Sequence, residues 1–377
     1  MSDAPIPIVR PALPDFDEIE PAFREIFASG QITTGLWTRR LEDLVSERLG
    51  VADTVAFNSG TSALILALRA LQKEPNKEGE VITSPFTWTA SAHSIAWNGL
   101  TPVFVDIDPH TLTLDPQAVR AAIRENTVGI MPVNVFGVPP DTEAFAGIAD
   151  DYDLRLVYDS AQGLGSSWKG QPVGGFGHAE IFSMSPTKVV TGIECGLVTT
   201  MDRELAATLR SLRDYGKDPG GSGDVLSIGL SARVPELNAC VGYTNMQRLD
   251  TLLERRRQLF TRYSQMLSTL PGVRFQQHPE ESTSTNNYFV LLVEPQAPIT
   301  RDALHDRLAE QGIQTKKYFW PALHMQAAYR HLRKVYEGHL PHAEAAASAG
   351  LALPLFDSMT EEQLIRVVRS VREAFGL

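Results

Sequence analysis

The chain has 377 residues, 43% hydrophobic and 21% charged, so it is long enough to bury more than one core and too apolar for a disordered polymer or a coiled coil. Lys and Arg number 34 against 45 Asp and Glu, a net charge of −11, which gives no footprint for nucleic acid or an acidic membrane and points to small partners. Two cysteines, Cys195 and Cys240, exclude a disulfide scaffold and a Cys-based metal site. With no signal-peptide pattern and no run of eighteen apolar residues, the expectation is a cytoplasmic protein.

In chain order, residues 14–29 read as an amphipathic helix carrying Ile19, Phe23 and Phe27, stopped by Gly30 and forming an arm before the sheet. From about Asp53 to Thr200, short apolar runs at 54–57, 80–83, 102–105, 128–131, 154–157, 180–183 and 197–200 alternate with helical patterns. This alternation predicts an α/β fold whose large domain has a mainly parallel seven-stranded sheet flanked by helices. One of those helices is 62–71, with Leu64, Ile65, Leu68 and Leu71 on one face and Ser59 or Gly60 at its N-cap. Residues 218–223 have loop composition. From 236 to 270 a single long helical pattern follows, and its Glu254-Arg255-Arg256-Arg257 run reads as a solvated face. A strand at 288–292 and helices at 301–311 and 360–375 predict a smaller C-terminal α/β domain. The expected division is therefore 1–235, a large cofactor-binding domain with its N-terminal arm, and 236–377, a small domain that includes the long connecting helix.

Three common motifs fail. Gly163-Leu164-Gly165 lacks the third glycine of a dinucleotide fingerprint, Gly216-Lys217 lacks the rest of a P-loop, and neither Gly-x-Ser-x-Gly nor His-Glu-x-x-His occurs. Three other features can carry chemistry. Asn58-Ser59-Gly60-Thr61-Ser62 follows a strand and opens a helix, where free N–H groups and hydroxyls can hold a phosphate, although Ser and Thr cap ordinary helices too. Asp159 ends an apolar strand with Gln162 three residues on; such a carboxylate can keep a pyridine nitrogen protonated or merely cap the next turn. Lys188 follows the strand ending at Ser183, and a lysine led into a sheet crevice can be desolvated and form a Schiff base.

Together these three features are what pyridoxal 5′-phosphate demands. The chain resembles the DegT/DnrJ/StrS family of sugar aminotransferases, of the pyridoxal phosphate fold-type I, nearly end to end. The likeness runs through Gln31-Ile32-Thr33-Thr34-Gly35, residues 58–64, residues 102–108, Asp159-Ser160-Ala161-Gln162, residues 182–196 and residues 321–324. The resemblance implies that Lys188 is the internal-aldimine lysine and moves the substrate proton, and that Asp159 pairs with the pyridine nitrogen while Gln162 bonds the ring hydroxyl. It further implies that Gly60, Thr61, Ser62 and Ser183 bind the phosphate, that Trp88 stacks on the ring, and that Lys316, Lys317, Tyr318 and His324 line the sugar-nucleotide site. The aromatic stretch Tyr318-Phe319-Trp320 reads equally as small-domain core.

Two departures stand out. Ser231, in Gly229-Leu230-Ser231-Ala232-Arg233, replaces an Asn that reaches the neighbouring subunit's phosphate, and Glu194-Cys195-Gly196 replaces Glu-Gly-Gly, with a side chain that would narrow the loop after Lys188. Family dehydratases carry His where Lys188 stands, so transamination is the implied activity. The resemblance thus implies a homodimer with active sites near the subunit interface, moving an amino group from L-glutamate to a keto group of a nucleotide-linked deoxysugar such as a dTDP-4-keto-6-deoxyhexose. A keto-cyclitol aminotransferase and a non-catalytic pyridoxal phosphate-binding sugar sensor remain the alternatives, with no nucleic acid, membrane or metal involved.

Overall fold

The computed structural model describes residues 4–72 and 78–377. Strands are numbered in chain order. Seven of them, β1 (Asp53–Phe57), β2 (Glu80–Thr83), β3 (Thr101–Phe104), β4 (Thr127–Met131), β5 (Arg155–Asp159), β8 (Ala179–Ser183) and β9 (Gly196–Thr200), form one sheet in the order β1-β9-β8-β5-β4-β2-β3. All neighbours are parallel except at β9, which runs antiparallel to both β1 and β8. Six strands therefore end on one edge of the sheet, and β9 starts there. β6 (Ser167–Trp168), β7 (Gln171–Pro172) and β11 (Ser282–Thr283) make a small sheet; β10 (Val273–Phe275), β12 (Phe289–Val293) and β13 (Gly350–Leu353) make an antiparallel C-terminal one. Every run predicted between 54 and 200 is a strand of the large sheet, buried on both faces because helices cover both.

The helix Gly60–Leu71 packs Leu64, Leu66 and Leu68 against Val55, Ile181 and Val198. Opposite it, Leu41 and Val45 of the helix Leu36–Leu49 meet Phe182, Leu197, Ala239 and Met246. The C-terminal sheet buries Phe289, Leu291 and Leu353 against Tyr263, Leu304 and Val367 of three helices.

Three expectations change. The helical pattern of 236–270 is two helices, Glu236–Gln247 and Leu249–Leu267, broken at Arg248, whose Nη2 donates to Asn245 Oδ1 at 2.7 Å. Apolar spacing continues across the break, so periodicity alone does not register it. In the arm helix Phe16–Ser29 the buried face is Ile19, Ala22 and Ile26, set on Cys240 and Val241, while Phe27 points outward. The Arg run is only partly solvated: Arg257 pairs with Glu254 at the surface, but Arg256 is 1% exposed, lies 3.3 Å from Asp357 and donates to Asn287 O.

The edge strand β1 is fixed by a buried charge pair. Arg213 Nη1 donates to Glu42 Oε1 and to Ala56 O, both at 2.7 Å, and Ala56 N donates back to Glu42 Oε1 at 2.8 Å. Removing one member strands a buried charge. Glu42→Ala should thus lower the unfolding free energy by about 3–5 kcal/mol, read by urea denaturation.

Candidate active site

The loops leaving that common edge converge on one cleft, and each is held by its own local bonds. At the end of β1, Ser59 caps the following helix, its Oγ accepting from Ser62 N at 3.1 Å and lying 2.9 Å from Ser62 Oγ. The first N–H groups of that helix, at Gly60 and Thr61, have no acceptor within the helix and sit at its positive end. Close approach requires Gly196 and makes Gly60 a tight fit. A Cβ on Gly60 would meet Ser183 Cβ at 3.0 Å, and one on Gly196 would meet Ser59 O at 2.2 Å. The adjacent Cys195 does not narrow the cleft. Its side chain is buried in the core with Phe182, Met184 and Leu197, and burial pushes the thiol up to about 12.

Between β8 and β9 the chain forms a closed loop around Lys188. Met184 N donates to Cys195 O at 2.8 Å, Gly192 N to Met184 O at 2.9 Å, and Lys188 N to Ser185 O at 3.0 Å. Lys188 lines the cleft together with Ser59, Gly60, Thr61, Trp88, Asp159, Gln162 and Ser183. No carboxylate lies within ion-pair distance of its ammonium among the described residues.

Asp159 ends β5 and is 4% exposed. Its Oδ2 accepts from Ser91 Oγ at 2.6 Å, and its Oδ1 from Ala161 N at 3.2 Å, so it both caps its own turn and faces the cleft. Burial raises its pKa, against the pull of Ser91, Ala161 and the Lys188 charge. A buried carboxylate with no paired cation is a site shaped for one. Gln162 Oε1 and Asn134 Nδ2, also in the lining, are buried without a hydrogen-bond partner. Unsatisfied buried polar atoms beside a carboxylate, a lysine and a helix N-terminus fit a phosphorylated, cationic heterocycle.

The other expected residues divide. Trp88 is 55% exposed at the cleft and is not core. Tyr318 and Phe319 line the cleft and are also buried in an aromatic cluster with Phe136 and Tyr288, so both readings of that stretch hold. Lys316 reaches the cleft, but Lys317 turns away to Asp302, 2.7 Å from its Nζ. His324 is fully buried outside the cleft, packed on Phe104 with its Nε2 3.1 Å from Glu344 Oε1. Ser62 takes part in the cap behind the lining, and Ser231 is exposed away from its own chain's cleft, its carbonyl 3.4 Å from Asn58 Nδ2. Sequence reading missed Ser91, a serine in the first turn of the helix Thr89–Trp97 that belongs to no motif, and Asn134, whose place just past an apolar strand is a usable signal.

Behind the site, Glu180 is buried on β8 and accepts from Ser160 Oγ at 2.8 Å, Phe176 N at 3.1 Å and Gly174 N. Burial outweighs these donors and holds its pKa up at about 7. Because this lies above the unfolded value of 4.5, the native state holds the proton more tightly, and stability falls as pH rises from 4.5 to 7. Glu180→Gln should flatten that fall when urea denaturation is compared on the two sides of the window.

The family model for the DegT/DnrJ/EryC1/StrS aminotransferase family matches residues 15–372. A dTDP-4-amino-4,6-dideoxy-D-glucose transaminase of Shigella dysenteriae is 34% identical over 98% of this chain and 99% of its own. Among solved structures, DesV of S. venezuelae superposes with a TM-score of 0.90 at 30% identity, over 99% of each chain. PseC of Helicobacter pylori, an aminotransferase of pseudoaminic acid biosynthesis, does so with a TM-score of 0.92 at 26% identity over 99% of each chain. The fold is that of fold-type I pyridoxal phosphate enzymes. The chain belongs to the DegT/DnrJ/EryC1/StrS aminotransferase family.

Proposed function

We propose that the protein binds pyridoxal 5′-phosphate in this cleft and transfers the amino group of L-glutamate to the keto group of a dTDP-4-keto-6-deoxyhexose, releasing 2-oxoglutarate and the 4-amino sugar. The observation that carries the reading is the meeting of Lys188, buried Asp159 and the N-terminus of the helix Gly60–Leu71 in one cleft. The dTDP-sugar transaminase at 34% identity supports the acceptor class. When bound, the cofactor supplies an electron sink beside the bond that loses its proton.

The chain's own residues do the rest. The N–H groups of Gly60 and Thr61, with the Ser183 hydroxyl, hold the phosphate. Asp159, kept in place by Ser91 and Ala161, would hold the ring nitrogen protonated, and that pairing would offset the cost of its burial. Gln162 Oε1, unpartnered in the cleft, would accept a hydrogen bond from the ring hydroxyl, Trp88 would pack against the ring, and the Lys188 amine would hold the cofactor and move the substrate proton. We place this chemistry in a large domain, residues 1–235, closed by a smaller one, residues 236–377. We also propose a cytoplasmic homodimer in which Ser231 reaches the partner's site; exposed Ile32, Leu226, Ile228 and Leu230 support a contact surface there.

Lys188→Ala should abolish the visible absorption band of the loaded protein and its turnover together, and normal turnover would sink the assignment. Asp159→Asn should retain the cofactor but cut turnover at least about a hundredfold, because a neutral nitrogen withdraws charge poorly; an unchanged rate contradicts its role.

A further inference from the structure

Among the described residues, the cleft lining holds two buried side-chain atoms without a hydrogen-bond partner, Gln162 Oε1, an acceptor, and Asn134 Nδ2, a donor. Together they are the complement of a hydroxyl, which gives one hydrogen and accepts others. The other end of the Asn134 amide is held from behind. Its Oδ1 lies 3.3 Å from Ser160 Oγ, which in turn lies 2.8 Å from Glu180 Oε1, and all three residues are 1% exposed or less. Asn134 N donates to Asp159 O at 3.0 Å, so the amide stands beside the buried carboxylate of the site. Gly163 leaves it room, since a Cβ there would meet Asn134 Nδ2 at 2.5 Å. Ser160 has a single hydroxyl hydrogen, and two acceptors compete for it.

Resting on the cofactor reading above, we propose that Asn134 is a second positioning contact for the cofactor's ring hydroxyl, and that Glu180, acting through Ser160, decides which end of the Asn134 amide faces the cleft. With a proton on Glu180, its carboxyl donates to Ser160 Oγ, Ser160 donates to Asn134 Oδ1, and the amide N–H is left for the cleft. Ionised, Glu180 takes the Ser160 hydrogen; Ser160 Oγ then accepts, the amide turns over to give it an N–H, and the cleft meets a carbonyl oxygen instead. Only the Ser160 hydrogen and the plane of the amide move, while Gly174 N and Phe176 N keep their bonds to Glu180 Oε2. Burial holds the Glu180 carboxyl at about 7, where both states are populated. The groups that face it leave this titration alone: Tyr158, its register partner on β5, is kept neutral by burial, β9 presents Thr199, and the carboxylate has no cationic partner among the described residues. Because Gln162 Oε1 takes the hydrogen of the ring hydroxyl and Asn134 gives one to its oxygen, the protonated relay binds the cofactor more tightly. By linkage, bound cofactor holds the proton on Glu180 more tightly too.

The test is the affinity of the full-length protein for pyridoxamine 5′-phosphate, which forms no covalent bond to Lys188, measured by calorimetry from about pH 6 to about pH 8. Glu180→Gln keeps a donor to Ser160 at every pH and so holds the low-pH arrangement. The two proteins should bind equally at the acid end, and at the alkaline end the wild type should bind roughly threefold to tenfold more weakly than Glu180→Gln. Titration of the ligand, Lys188 and Asp159 is common to both proteins and cancels in the ratio. Ser160→Ala, which cuts the relay at its middle, should remove the same pH-dependent part. Asn134→Ala should bind at the acid end as weakly as the wild type does at the alkaline end. A purely structural Glu180 would lower the stability of its variant and leave the ratio flat. A flat ratio, wild-type pH dependence in Ser160→Ala, or unchanged affinity in Asn134→Ala overturns the inference, and each leaves the aminotransfer reading standing. Failure of the wild type to bind pyridoxamine 5′-phosphate at either end would instead bring down the cofactor assignment, and the relay with it.

Discussion

The backbone contact between Gly196 and Ser59 is the constraint on which the site depends. β9 enters the sheet between β1 and β8, antiparallel to both, so its first residue abuts the turn that opens the helix Gly60–Leu71. With 2.2 Å from a Gly196 Cβ position to Ser59 O, no side chain fits there. That approach brings the helix N-terminus and the loop holding Lys188 to one cleft, while Glu42 and Arg213 keep β1 in register from the other side. Family resemblance leads one to expect two adjacent small residues, but only the second is sterically required, and Cys195 can occupy the first because its side chain turns into the core.

The electrostatics of the edge follow from burial. Asp159 and Glu180 lie on adjacent strands, both buried and both raised in pKa, yet their surroundings differ. Glu180 receives hydrogen bonds on both oxygens from groups that are themselves fixed, and it serves the turn around Gly174. Asp159 faces open space beside Lys188, with Gln162 and Asn134 carrying unsatisfied polar atoms nearby. A carboxylate is costly to bury without a partner, and the cleft supplies room for one rather than the partner itself.

The large sheet was legible because parallel strands buried on both faces are short continuous apolar runs, and turn residues mark their ends. Asp159 stands out because it closes such a strand, and Lys188 because it lies in the turn-rich segment that follows the strand ending at Ser183. Other features depend on tertiary placement that no local pattern carries. The break at Arg248 interrupts a helix whose apolar spacing continues, and buried Arg256 meets Asp357, 101 residues on, and the carbonyl of Asn287. Likewise, adjacent lysines 316 and 317 look equivalent in sequence, but the extended backbone beside β13 sends one to the cleft and the other to Asp302. His324 joins the aromatic core for the same reason, since its direction is set by the packing of Phe104 and Tyr336 around it.

The central claim is tested most directly by the absorption spectrum of the purified protein with added pyridoxal 5′-phosphate, recorded before and after L-glutamate and then with candidate keto-sugars. The account predicts a visible band that L-glutamate bleaches and that a dTDP-linked keto-sugar restores where a free keto-cyclitol does not. A protein that forms no band with the cofactor, or a band that no amino acid bleaches, would contradict it.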